Sequence, residues 1–134
     1  MNHVQLVNAL RDLSVSLGYS FTEGTEERMS QAVRQYPAAW ISPPRVLSAE
    51  GRRHGRITYG ITLHLLDAGA KMTPDARNER FAEMENDALE IFTRLSENDC
   101  IIAVEKLTVE PRAASLTSHG EISQTVQARA VTCF

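Results

Sequence analysis

The residues of this chain best equipped for chemistry lie in GRRHGR, residues 51–56, where Arg52, Arg53, His54 and Arg56 stand among two glycines. Basic residues beside glycines can grip a phosphate. That chemistry needs a glycine-rich loop opening a helix, so that backbone N–H groups and the helix dipole face the anion. Here the glycines lead instead into ITYGITLHLLD, an alternating apolar and polar run that reads as a strand. The stretch therefore reads as a solvated hairpin tip, since exposed turns carry glycine and charge. On a chain of net negative charge, a basic loop also suits docking of an acidic neighbour.

The other reactive side chains form no recognisable site. His3, His54, His64 and His119 lack the short, regular spacing of zinc ligands. No GxSxG elbow is present, and neither cysteine has a histidine nearby in sequence. Glu79, Glu83, Glu85, Asp87 and Glu90 could pair for acid–base work or hold a metal. They fall on a helical segment without the Glu-x-x-His pairing of bundle metal sites, and they read as its wetted face. No catalytic residue, metal site or cofactor is expected.

Positioning these residues takes little chain. The 134 residues suit one domain, 1–134, and 43% apolar content can fill a modest core. A net charge of −3 argues against a protein that coats nucleic acid, which requires many phosphates to be neutralised. No apolar run approaches the length of a membrane span, and MNHVQLVNALRDLS is too polar for a secretory signal. Cys100 and Cys133 form no CxxC and are expected as reduced thiols of an intracellular protein, a disulfide between them being the alternative.

Along the chain, Val4, Val7, Leu10, Leu13 and Leu17 mark one face of a helix ended by Gly18. YSFTEGT reads as a tight connection. Met29, Ala32, Val33 and Tyr36 predict a second helix over 26–36, stopped by Pro37. Residues 38–46, AAWISPPRV, read as an edge strand, because Pro43 and Pro44 cannot donate ladder hydrogen bonds. Ile57, Tyr59, Ile61, Leu63 and Leu65 share one parity and should face a core. Thr73-Pro74-Asp75 opens a long helix over 74–96, with Phe81, Met84, Ala88, Ile91 and Leu95 inward. CIIAVEKLTVE alternates imperfectly up to Pro111, RAASLTSHG is a loop, and residues 121–134 alternate cleanly. The predicted class is α+β: two β-hairpins forming an antiparallel or mixed sheet against one long helix, in the order α-α-β-β-α-β-β.

Trp40, the single tryptophan, reads first as core packing. Its place on an edge strand adds a second reading, an interface anchor, with Ile41 beside it.

This order of elements resembles the tail terminator and tail-completion proteins of long-tailed bacteriophages. The likeness runs through the opening helix, AAWISPPRV and GRITYGITLHLLD, the helix TPDARNERFAEMENDALEIFTRL, and the closing strands CIIAVEKLTVE and EISQTVQARAVTCF. The helix expected over 26–36 is an addition to that order. The resemblance implies a structural protein without an active site, made in the bacterial cytoplasm and built into the tail of a phage or prophage particle. Its copies would form a ring, usually hexameric, that caps the tail tube and meets other tail or head-joining proteins. The implied functional residues are interface residues, with no motif that assigns them. The projecting basic loop and the edge strand themselves predict Arg52, Arg53 and Arg56 toward carboxylates of a neighbour, and Trp40 and Ile41 as apolar contact. Specific nucleic-acid and membrane binding are not implied. Two other readings fit the same sequence: a ligand-binding or enzymatic α+β domain with a pocket between helix and sheet near His64 or Tyr59, and an adaptor that dimerises through its edge strand.

Overall fold

A computed structural model describes residues 1–51, 53–112 and 120–133. Arg52, the expected loop over 113–119 with His119, and Phe134 lie outside the described residues.

Helix α1 (His3–Ser16) starts on a reciprocal cap, in which the Gln5 N–H donates to Asn2 Oδ1 and the Asn2 N–H donates to Gln5 Oε1, each at 2.9 Å. It stops where Gly18 takes φ +93°. There the Tyr19 N–H donates back to the Ser14 carbonyl at 3.1 Å and the Gly18 N–H to that of Val15 at 3.0 Å, closing the helix as a left-handed glycine cap does. Helix α3 (Pro74–Ser96) begins as its sequence predicts: Thr73 Oγ1 accepts from the Ala76 N–H at 3.2 Å, and Pro74 and Asp75 fill the first turn.

The strands are β1 (Ser20–Glu23), β2 (Ala38–Ile41), β3 (Arg45–Glu50), β4 (Arg56–Asp67), β5 (Ile101–Arg112) and β6 (Ile122–Cys133). They form one mixed sheet in the order β1-β2-β4-β6-β5, with β3 pairing β4 beyond the end of β2. Only β1 and β2 run parallel and the other pairs are antiparallel. β5–β6 is a hairpin as predicted, whereas the partner predicted for β4 over 38–46 is divided between β2 and β3, and β3 runs on through Glu50 into the stretch before the basic turn. The α+β class is as the sequence predicts.

One face of the sheet carries the main core. Tyr59, Ile61, Leu63 and Leu65 of β4 and Ile122, Val126, Ala128 and Ala130 of β6 pack beneath Leu6, Val7 and Leu10 of α1 and Met84, Ala88, Ile91, Phe92 and Leu95 of α3. Each fully buried leucine or isoleucine contributes about 1.5–3 kcal/mol, so this period-two face fixes the register. The imperfect alternation of β5 has a structural cause. Register shifts between Ile101 and Ala103 and between Glu105 and Thr108 reset which side chains point inward, so Ile101, Val104, Leu107 and Val109 all reach the core despite mixed parity.

Three expectations are corrected. Residues 20–23, read as a connection, form β1. The helix over 26–36 is a 3-10 turn (Glu26–Arg28) and a single α turn, α2 (Met29–Ala32). One turn already brings Met29 and Val33 into a second small core with Ala38, Trp40 and Leu66, and the chain then runs extended to reach β2. Finally, the strand over 38–46 is not an open edge. It breaks at Pro43-Pro44 into β2 and β3, and β1 covers the outer rim of β2.

Candidate interaction surface

Trp40 and Ile41 are buried in the chain's own interior, Trp40 at 1% exposure and Ile41 at 0%. The indole fills the second core and its Nε1–H donates to the Gly24 carbonyl at 2.9 Å. Both residues lie on β2, where β1 and the 3-10 segment leave no rim for a neighbour to touch. The expected apolar contact at this edge is therefore withdrawn on grounds of packing. Arg53 and Arg56 remain exposed on the β3–β4 hairpin, with Arg56 opposite Glu50 in register. The described residues of the basic stretch, 51 and 53–56, thus form a hairpin tip, as the sequence reads, with Gly51 at φ +83° in the turn.

Two polar networks lie inside the fold. In the first, Arg112 Nε–H donates to Thr125 Oγ1 at 2.9 Å, Thr125 lies 3.0 Å from His64 Nδ1, and His64 Nε2 lies 3.0 Å from Glu26 Oε1. Every donor finds an acceptor when the neutral imidazole carries its proton on Nε2, so that Thr125 donates to Nδ1 and Nε2–H donates to Glu26. Burial holds His64 below the ordinary imidazole range, with Arg112 adding to this and the hydrogen bond and charge of Glu26 opposing it. A hydroxyl, an imidazole and a carboxylate in series have the order of a nucleophilic triad. Here the threonine is buried in mid-strand, and neither of the two surface hollows described below includes it or His64. The network instead pins the 3-10 turn onto the sheet.

In the second network the Tyr19 hydroxyl donates to Asp87 Oδ2 at 2.7 Å, and Arg80 Nε–H donates to Asp67 Oδ2 at 2.6 Å. Burial, reinforced by the Asp87 carboxylate, pushes the Tyr19 phenol upward, so it stays protonated and donates. These bonds tie the α1–β1 junction and the end of β4 to α3.

The candidate surface lies on the sheet face away from α1 and α3. Part of that face is roofed by the 3-10 turn and α2 over Trp40 and Leu66. Beyond this roof it opens into a hollow of about 380 Å³, bordered by Arg45, Leu47, Gly60, Lys106 and Arg129. Gly60 forms its floor: a Cβ there would sit 3.3 Å from the Leu47 methyls. Arg45, Gly60, Arg129 and Glu105 stand in one row across β3, β4, β6 and β5. Among the described residues, none of Arg45, Lys106 and Arg129 is among the ion pairs within 4.0 Å. Sequence reasoning missed all three, because only cross-strand register brings them together. The sole local signal was that Arg129 has outward parity on β6. A second hollow, about 340 Å³, lies between α1 and α3 and mixes Asp12 and Glu97 with Arg94. Neither hollow contains Tyr59, which is buried in the main core. No group of three or more histidine, cysteine or carboxylate side chains gathers as metal ligands among the described residues, and no described helix is long and apolar enough to cross a membrane.

No protein-family model matches the chain, and no curated protein does. Among solved structures, the chain is similar to one from the virion of a native gene transfer agent particle, with a TM-score of 0.50 and 11% identity over 98% of this chain and 91% of that one. It also matches the core region of PilO from the type IV pilus system of Pseudomonas aeruginosa, with a TM-score of 0.34 and 11% identity over 83% of this chain and 93% of that one; a likeness at that level carries no inference. The first match establishes a shared fold.

Proposed function

We propose that this chain is a structural subunit of a phage-like particle, of the tail terminator or tail-completion kind, acting through contacts and not through catalysis. The observation that supports this is the fold shared over 98% of the chain with a component of a gene transfer agent virion. The surface is compatible with such work: the arginines sit on an exposed hairpin, the sheet ends at β1 and β5 with β3 as a further edge, and the inner polar networks serve packing. In this reading copies join in a ring that caps the tail tube and presents a surface to head-joining proteins. The hairpin bearing Arg53 and Arg56, with Arg52 beside them in sequence, meets carboxylates of a neighbour.

The test is deletion of the gene in the producing cell, followed by electron microscopy of the particles. Overgrown tubes and unjoined heads are expected, and both should revert on complementation. Particles of normal tail length that are fully joined would overturn the proposal. Arg52→Glu with Arg53→Glu should reproduce the defect while the purified chain keeps its circular dichroism spectrum; normal assembly by that variant removes the loop from the interface.

A further inference from the structure

The groove on the helix-free face has an occupant of matching charge in the same sequence. Three exposed cations, Arg45, Lys106 and Arg129, border it, and the one neighbouring carboxylate in register, Glu105, forms no ion pair with Arg129 within 4.0 Å. Across the molecule, α3 turns Asp75, Glu79, Glu83 and Glu90 outward. At 3.6 residues per turn these four fall within an arc of about 80°, opposite the side that carries Met84, Ala88, Ile91 and Leu95 into the core. Among the described residues only Glu83 of the four forms an ion pair, with Arg80 at 3.1 Å. Glu79 and Glu83 repel at a spacing of four, a placement that does not favour the helix itself. Solvation is the ordinary use of such a stripe. What distinguishes this one is a groove of opposite sign on the opposite face of the same chain.

We propose that the basic groove receives the acidic outer stripe of α3 from a second copy, with Glu79 and Glu83 entering beside Arg45, Lys106 and Arg129. This rests on the reading of the chain as a subunit of a homo-oligomer. Because the two surfaces face in opposite directions, the contact is front to back: every copy offers one surface and accepts the other. Such heterologous joints close into rings when the rotation per step divides a full turn. A volume of about 380 Å³ admits the side chains of about one helical turn and not a whole helix, so specificity falls on the paired glutamates. Solvent-exposed ion pairs are weakened by salt, so the joint should loosen as ionic strength rises.

The test uses the full chain. Isotopically heavy and light copies are mixed at low salt and treated with a carbodiimide, which couples amines to carboxylates that touch. Peptides joining Lys106 to Glu79 or Glu83 with one heavy and one light half are expected. Sedimentation equilibrium should show association falling about tenfold or more in Arg45→Glu/Arg129→Glu, and likewise in Glu79→Lys/Glu83→Lys. Mixing the two reversed variants should restore association, which simple misfolding would not allow. Association that survives both reversals, without the mixed peptides, overturns this joint and leaves the assembly role standing. A chain monomeric at high concentration in low salt also overturns the joint, while the deletion phenotype decides the assembly role separately.

Discussion

Gly24 and Trp40 define a tight residue-scale constraint at the second core. A Cβ on Gly24 would lie 2.8 Å from the indole Cζ2, closer than real side chains approach. Gly24→Ala must therefore displace the ring or the chain that accepts its N–H, and should cost about 1–3 kcal/mol. As Trp40 is the single tryptophan, urea unfolding followed by its fluorescence checks this directly; an unchanged midpoint and emission would remove the constraint. His64 gives a second residue-scale prediction. Burial keeps it neutral in the fold, whereas the unfolded chain protonates near the ordinary value of about 6.5. As pH falls through that value the unfolded state binds the extra proton, so the stability held at neutral pH is lost toward the lower folded value. His64→Gln should flatten this acid-side decline in melting temperature; an unaltered slope would mean that other groups carry it.

At the scale of elements, α3 depends on a start that is easy to weaken. Thr73→Ala removes the side-chain acceptor for the Ala76 N–H and should lower stability by about 1 kcal/mol, read from denaturant midpoints with an unchanged slope. This helix and the central strands were legible in the sequence because their signals are local. Thr73-Pro74-Asp75 announces the helix, and Tyr59, Ile61, Leu63 and Leu65 announce a strand face by parity alone. The elements that escaped depend on partners distant in sequence. Residues 20–23 become β1 only because Ser20 to Glu23 find Ala38 to Ile41 in parallel register. The stripe of Met29 and Val33 fits a long helix and a single turn equally well. What chooses between them is the second core around Trp40, built by residues on three separate segments: α2 with its cap, β2 and β4.

For the whole molecule, the legible and illegible parts of the site divide on the same ground. The hairpin tip with Arg53 and Arg56 shows in the sequence, because glycine and charge mark turns locally. The groove does not, because Arg45, Lys106 and Arg129 meet only through the registers of β3, β4, β5 and β6. A joint that uses opposite faces has a requirement at this scale: copies must not fuse side by side along their sheets first. The shortness of β1, four residues, and the interruptions at β3 and β5 meet it. Val46, Leu47 and Ile102 are 58%, 41% and 48% exposed on β3 and β5, which alone would invite amyloid-like pairing between chains. The proline break just before β3, the shift within it between Val46 and Ser48, and the two bulges and Pro111 of β5 leave no long flat template on either side. Margins broken in this way disfavour precipitation of concentrated free chains.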